Sequence, residues 1–169
     1  TAVGDYKEKG YPPEALFNFL SLLGFSIDDE TTIFGSEKLV SAFELSRINS
    51  SGAIFDTDKL AWICGDYIRA CSAEALTERL LPFIKRAGFQ VEEGEEEWLL
   101  RVVASYQERI GLYSDFPEMA SWLFEGSVEV DKKAAKALRA DGATAVLMEI
   151  VKRLEAESNF PPQEFDSWI

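Results

Sequence analysis

The amino-acid sequence predicts a mainly α-helical protein. Three observations carry that expectation. Two dense amphipathic segments, residues 10–26 and 53–69, bring their own start and stop residues. Nearly every stretch beyond residue 55 repeats its apolar residues at helical spacing, and anything strand-like is confined to residues 31–34.

In the first segment Pro12 and Pro13 mark a helix start, since proline is tolerated only in the first turn. Leu16, Phe19, Leu20 and Leu23 then recur at steps of three and four, and Gly24 is a natural stop. Phe17 and Leu22 flank that stripe, so the helix is expected to pack between neighbours. Asn18 stands inside the apolar wall. A buried amide without partners costs about 1–3 kcal/mol, which predicts that Asn18 ties the helix to a neighbouring backbone. After a polar stretch and a possible extended piece at 31–34, Ser36 and Glu37 begin a helix that runs to Phe43. Residues 47–52 then form a loop.

In the second segment Asp56 is a good N-cap, Asp58 sits where the helix dipole favours negative charge, and Leu60, Ile63 and Ile68 supply the apolar face. Ser72 opens a further helix to Ala87, kinked near Pro82 and stopped by Gly88. Residues 89–94 follow as a boundary, and the first half is expected to end near residue 90. Beyond it, Trp98, Leu99, Val102, Val103, Tyr106, Ile110 and Tyr113 predict one helix over 95–113. Asp115 caps a shorter helix bearing Met119, Trp122 and Leu123. Two more helices are expected near 131–140 and 143–157, and Pro161-Pro162 announces another. The acidic run 92–97 fits a solvated helix start.

With 169 residues and 47% apolar content, the chain suffices for a real core. No stretch reaches the roughly 18–20 apolar residues of a membrane span, and no signal pattern opens the chain. A start at Thr1 without methionine, and an apolar end at Trp168-Ile169, read as a piece of something longer. Cys64 and Cys71 would stand about 10 Å apart along a continuous helix, beyond the roughly 4.4–6.8 Å of a disulfide, so reduced thiols and an intracellular setting are expected. There is no histidine. A zinc site or a His-dependent triad is therefore not expected, and no phosphate-binding or dinucleotide glycine loop is present. The 30 acidic residues make any single carboxylate pair uninformative.

The run Gly10-Tyr11-Pro12-Pro13-Glu14-Ala15-Leu16, with Asn18 and Leu23-Gly24-Phe25, is followed by Phe55-Asp56, Lys59-Leu60, Trp62 and Tyr67-Ile68-Arg69. In order and spacing this set resembles the glutamyl-tRNA synthetases, in the region just after the lysine-rich signature loop of their class I catalytic domain. The resemblance implies a stem-contacting helical domain over residues 1–90. It also implies an incomplete α-helical anticodon-binding cage over 91–169, because the family's last arginine-rich helices have no counterpart here. It implies tRNA(Glu) and the catalytic domain of the same polypeptide as partners, with neither DNA nor membrane, and a cytoplasmic setting. ATP and Mg would be handled by that catalytic domain, which attaches glutamate to the tRNA, so this chain alone is expected to be non-catalytic and to carry no cofactor.

A net charge of −13 argues against RNA at first sight. Local distribution matters more than the sum, and Arg47, Lys59, Arg69 and Arg109 are among positive residues that can share a face. By the resemblance, Lys59, Trp62 and Arg69 lie against the inner side of the tRNA stem, although Trp62 by itself reads as core. At about 100° per residue Arg109 falls at the edge of the apolar stripe, where a guanidinium needs a partner. One reading is a salt bridge to a nearby carboxylate. The other comes from residues 108–124, ERIGLYSDFPEMASWLF, which look like the family's helix ending in arginine followed by Phe-Pro-Glu. In members that discriminate glutamate from glutamine tRNAs, the arginine at this place reads the third anticodon letter, cytosine. Arginine offers only donors, which suit the O2 and N3 acceptors of an unstacked cytosine and clash with the N1–H and N2–H donors of guanine. A rival reading is an acidic helical adaptor that binds a protein through Trp122 and Trp168.

Overall fold

In the computed structural model residues 2–28, 30–49, 52–125 and 130–156 are described. Nothing in them is a strand. The helices are α1 (Val3–Glu8), α2 (Pro13–Gly24), α3 (Ser36–Ala42), α4 (Thr57–Arg69), α5 (Ala73–Arg86), α6 (Glu96–Tyr106), α7 (Asp115–Glu125), α8 (Lys132–Leu138) and α9 (Ala143–Ala156). A first 3-10 turn covers Leu45–Arg47 and a second covers Gln107–Arg109. The helix expected after Pro161-Pro162, and Trp168 with it, lies outside the described residues.

Asn18 behaves as its position demands. Its amide nitrogen donates to the Thr32 carbonyl at 2.9 Å, and its oxygen accepts from the Phe34 backbone N–H at 2.9 Å. The Tyr67 hydroxyl on α4 shares its proton between that same oxygen, 3.1 Å away, and the Phe34 carbonyl at 2.7 Å. Residues 31–34 form no strand, and the segment is held by the Asn18 amide and the Tyr67 hydroxyl. The fully buried Asn18 thus locks α2, the 31–34 segment and α4 together.

Packing divides the chain into two units, Thr1–Gly126 and Ser127–Ile169. In the first unit one core joins α2 to α4 through Ala15, Leu16, Phe19, Leu60, Ile63 and Cys64. A second joins α5, α6 and α7 through Leu76, Leu80, Ile84, Leu99, Val103, Phe116 and Ala120. Ile68, in the last turn of α4, belongs to the second core, so this helix serves both. The boundary expected near residue 90 does not separate packing units, because α5 on one side of it shares a core with α6 and α7 on the other.

Backbone contacts weld the early helices to the later ones. Gly10, at φ +83°, accepts from the Tyr113 N–H at 2.9 Å, and the Ser114 hydroxyl donates to the Lys9 carbonyl at 2.8 Å. A Cβ on Gly10 would stand 2.5 Å from the Ser114 backbone nitrogen, so both the turn and the close approach require glycine. Arg79 on α5 clamps Glu14 of α2 with two hydrogen bonds of 3.1 and 2.8 Å and also donates to the Tyr113 hydroxyl at 2.8 Å.

Three expectations are corrected. The helix predicted over 95–113 ends at Tyr106, and Ile110 and Tyr113 become buried through a turn instead of a continued helix. A short helix, α1, forms where none was expected, with the Asp5 carboxylate accepting from the Ala2 N–H at 2.9 Å. Phe17 and Leu20 are exposed, so α2 buries one face and is not walled in on both sides. Two caps stand where predicted: Asp56 accepts from the N–H groups of Asp58 and Lys59, and Ser72 from that of Ala75. Asp115, expected as a cap, is instead the first residue of α7, and its carboxylate accepts from the Leu112 N–H at 2.7 Å. Both cysteines are free thiols, and burial pushes that of Cys64 up to about 12.

The second unit is built differently. Asp131 caps α8 by accepting from the Ala134 N–H at 2.6 Å, Gly142 turns the chain at φ +85°, and Arg153 pairs with Glu149 one turn earlier on α9. No described side chain of α8 or α9 is buried.

Replacing Asn18 by alanine strands the Phe34 N–H and the Thr32 carbonyl, so urea unfolding should show a loss of about 2–3 kcal/mol. Burial pulls the Glu14 carboxyl upward, but hydrogen bonding and the charge of Arg79 outweigh it and hold the group below the usual carboxylate range. A carboxyl depressed in the folded state stabilises above its unfolded value, about 4.3, and that contribution fades as pH falls through the folded one. Melts taken from neutrality down to about pH 3 should therefore show Glu14→Gln less stable than the parent near pH 7, with the gap closing in acid.

Candidate nucleic-acid interface

Helix α4 presents three of the expected residues. Because Leu60, Ile63, Cys64 and Ile68 take the buried face, Trp62 turns outward and is 52% exposed. Its helical spacing had placed it in the core, but the cores on this helix fill other positions. Lys59 is exposed in the first turn and Arg69 in the last. Arg69 folds back toward Asp66, 3.4 Å away, and lies across Gly65, where a Cβ would come within 2.9 Å of its Nη1. A glycine in mid-helix costs about 1 kcal/mol relative to alanine, and here it makes room for a guanidinium.

The end of α4 is capped from a distance. The side-chain nitrogen of Gln107 lies 2.9, 3.2 and 2.7 Å from the carbonyls of Ile68, Arg69 and Cys71. Gln107 also begins the second 3-10 turn, which carries Arg109. The fold thus brings Arg69 and Arg109 to one joint, 40 residues apart in sequence though they are.

Arg109 is exposed and makes no ion pair among the described residues. Of the two sequence readings, the salt bridge does not form. The projection that put Arg109 at the edge of an apolar stripe assumed a continuous helix, whereas the residue sits beyond the end of α6. Its guanidinium carbon lies 5.4 Å from the centre of the Tyr106 ring. That ring meets Phe116 edge-on at 6.0 Å, and its hydroxyl accepts from the Trp122 indole N–H at 3.1 Å. Trp122 is 47% exposed. An unpaired cation therefore stands on an aromatic surface, with a second aromatic bonded to the first.

Sequence reasoning placed Tyr106 in the apolar stripe and assigned Trp122 to a rival function. The available signal was the three-residue step from Tyr106 to Arg109 and the polar tips of both aromatics. Arg47 sits elsewhere, on the first 3-10 turn. Its guanidinium donates to the carbonyls of Ser26, at 2.9 Å, and Ile27, and lies 5.2 Å from the Phe25 ring centre, which commits it to the chain segment after α2.

Residues 75–169 match the family model described as the anticodon binding domain. The chain belongs to that family. Residues 1–62 match the class I tRNA synthetase (E and Q) catalytic domain, so Lys59 and Trp62 fall within that match. Gln107, Arg109, Tyr106 and Trp122 fall within the anticodon-binding domain, and Arg69 lies between the two. Along its whole length the chain is similar to glutamate–tRNA ligases. It is 35% identical to that of Picosynechococcus sp., covering 100% of this chain and 35% of the relative. To glutamate–tRNA ligase 2 of Syntrophus aciditrophicus it is 37% identical, covering 99% and 34%. A solved glutamate tRNA ligase from Elizabethkingia meningosepticum, in complex with its amino acid, has the same fold at a TM-score of 0.79 and 24% identity, over 90% of this chain and 30% of that one. The chain spans about a third of the length of the curated relatives it matches.

Gly65→Ala is expected to raise stability in urea by about 0.5–1 kcal/mol, because the neighbour it displaces is the flexible tip of Arg69. A loss instead would mean that Arg69 is held over Gly65 more firmly than helix propensity favours the alanine.

Proposed function

We propose that this chain is the tRNA-binding part of a glutamate–tRNA ligase, and that Arg109 tests the third anticodon base of tRNA(Glu). The observation that carries the reading is the exposed Arg109 guanidinium on Tyr106, within the anticodon-binding match and without an ion pair among the described residues. A cytosine presents acceptors to those donors, and a guanine presents donors. Tyr106 and Trp122 offer ring faces on which an unstacked base can rest. Lys59, Trp62 and Arg69 on α4 face the tRNA stem, whereas Arg47, engaged with the carbonyls after α2, is left out of the contact.

In the same reading, glutamate transfer with ATP and Mg takes place in a catalytic domain of the same polypeptide, and this chain orients the tRNA toward it. The match of residues 1–62 to that domain family supports the partnership, as do the exposed Phe17 and Leu20 of α2. No helix among the described residues is long and apolar enough to cross a membrane, and the working compartment we propose is the cytoplasm.

The test compares two fluorescent anticodon-arm hairpins that differ only in cytosine or guanine at the third anticodon position. At low salt the chain should prefer the cytosine hairpin by about tenfold, equivalent to about 1.4 kcal/mol, and Arg109→Gln should bring the ratio close to one. Binding to both should weaken as salt rises. Equal losses for the two hairpins would remove Arg109 from base reading. The absence of binding at low salt would return Trp122 to the protein-adaptor reading.

A further inference from the structure

We propose that Gln107 is the positioning residue of the anticodon contact. It holds the turn that carries Arg109 against the end of α4, and so sets where the guanidinium meets the base. The proposal rests on the reading of Arg109 given above.

Helix α4 ends without the glycine that usually takes the left-handed position at a helix C-terminus: its cap is Ala70, followed by Cys71 and then Ser72, which already caps α5. The corner is sharp, and it leaves carbonyls that the chain itself does not fully satisfy. The Cys71 N–H reaches the Ile68 carbonyl at 3.2 Å, but the Arg69 and Cys71 carbonyls look to a residue 36–38 positions further on. The two N–H groups of the Gln107 amide are shared among the three from a partly buried place. Its amide nitrogen is used as a donor only, toward oxygens that carry the negative end of the helix dipole.

The same residue sets the course of the chain that follows. Its carbonyl accepts from the Ile110 N–H at 3.3 Å, closing the 3-10 turn, and Ile110 is buried beside Ile68 in the second core. Tyr106, on which Arg109 rests, immediately precedes it. One side chain is therefore anchored in α4, while its backbone closes the turn under Arg109. Without its donors, α6 can wind on past Tyr106 along the helical path its sequence favours, turning Arg109 away from the end of α4. A side chain that merely filled space here would not hold that stop.

The experiment uses the full 169-residue chain with the same two hairpins. Gln107→Met keeps length and apolar volume and removes the donors; Gln107→Lys restores a donor at the same reach. We expect Gln107→Met to melt cooperatively and to lose about fivefold of the cytosine preference, with Gln107→Lys recovering most of it. Arg109→Gln combined with Gln107→Met should lower the preference no further than Arg109→Gln alone, since both act through one contact. An RNA-independent readout runs alongside. Cys71 is half-buried at the corner, so its alkylation should accelerate severalfold in Gln107→Met, while the buried Cys64 stays protected. A preference left intact in Gln107→Met, or equal weakening toward both hairpins with Cys71 unchanged, overturns the proposal. If Arg109→Gln itself leaves the preference untouched, the base-reading role is what fails, and the role of Gln107 falls with it.

Discussion

The first unit depends on two backbones touching. Gly10 comes so close to Tyr113 and Ser114 that no side chain fits between them, and the hydrogen bond across that gap joins segments about a hundred residues apart. The bidentate Arg79–Glu14 pair, with the Tyr113 hydroxyl beside it, closes the same joint from the side-chain direction. Such a contact has a high loop-closure cost and survives only where packing on both sides repays it. Here the two cores do so, and the loop between α7 and α6 is drawn under α2 instead of continuing as helix.

That joint makes α4 the element shared by both cores of the first unit. The catalytic-domain match ends at residue 62 and the anticodon-domain match begins at 75, so most of the last turns of α4 fall in neither. Physically they belong to both, since Ile63 and Cys64 pack in the first core and Ile68 in the second. A helix packed in two cores fixes the positions of both relative to itself, whereas an unpacked linker would not. Lys59, Trp62 and Arg69 ride on that helix, and Arg109 is tied to its end through Gln107.

The charge distribution follows from the same geometry. A chain of net charge −13 repels a phosphate backbone at long range, and salt screens that repulsion beyond roughly 10 Å. In the proposed reading, contact is decided locally, by which cations are left unspent. Arg79 is committed to Glu14, Arg86 to the Glu8 carbonyl and Arg47 to two carbonyls after α2, all in structural duty. Arg109 has a ring beneath it and no ion pair among the described residues, which is the arrangement that keeps a guanidinium oriented yet available.

Local code in the sequence determined the helical character of this protein, the caps at Asp56 and Ser72, the stop at Gly88 and the buried tie made by Asn18. Each of these is a contest between nearby groups, and nearby residues state its outcome. The identity of Arg109, Lys59, Trp62 and Arg69 as candidates was legible too, through a family pattern and not through periodicity. Tertiary structure alone decided where α6 ends, which way Trp62 points and that Tyr106 and Trp122 stand beside Arg109. Apolar spacing records that Ile110 and Tyr113 are buried without recording whether a helix or a turn buries them. The deciding groups, the α4 carbonyls met by Gln107 and the backbone of Gly10 against Tyr113, lie tens of residues away, and no local pattern encodes a partner at that distance.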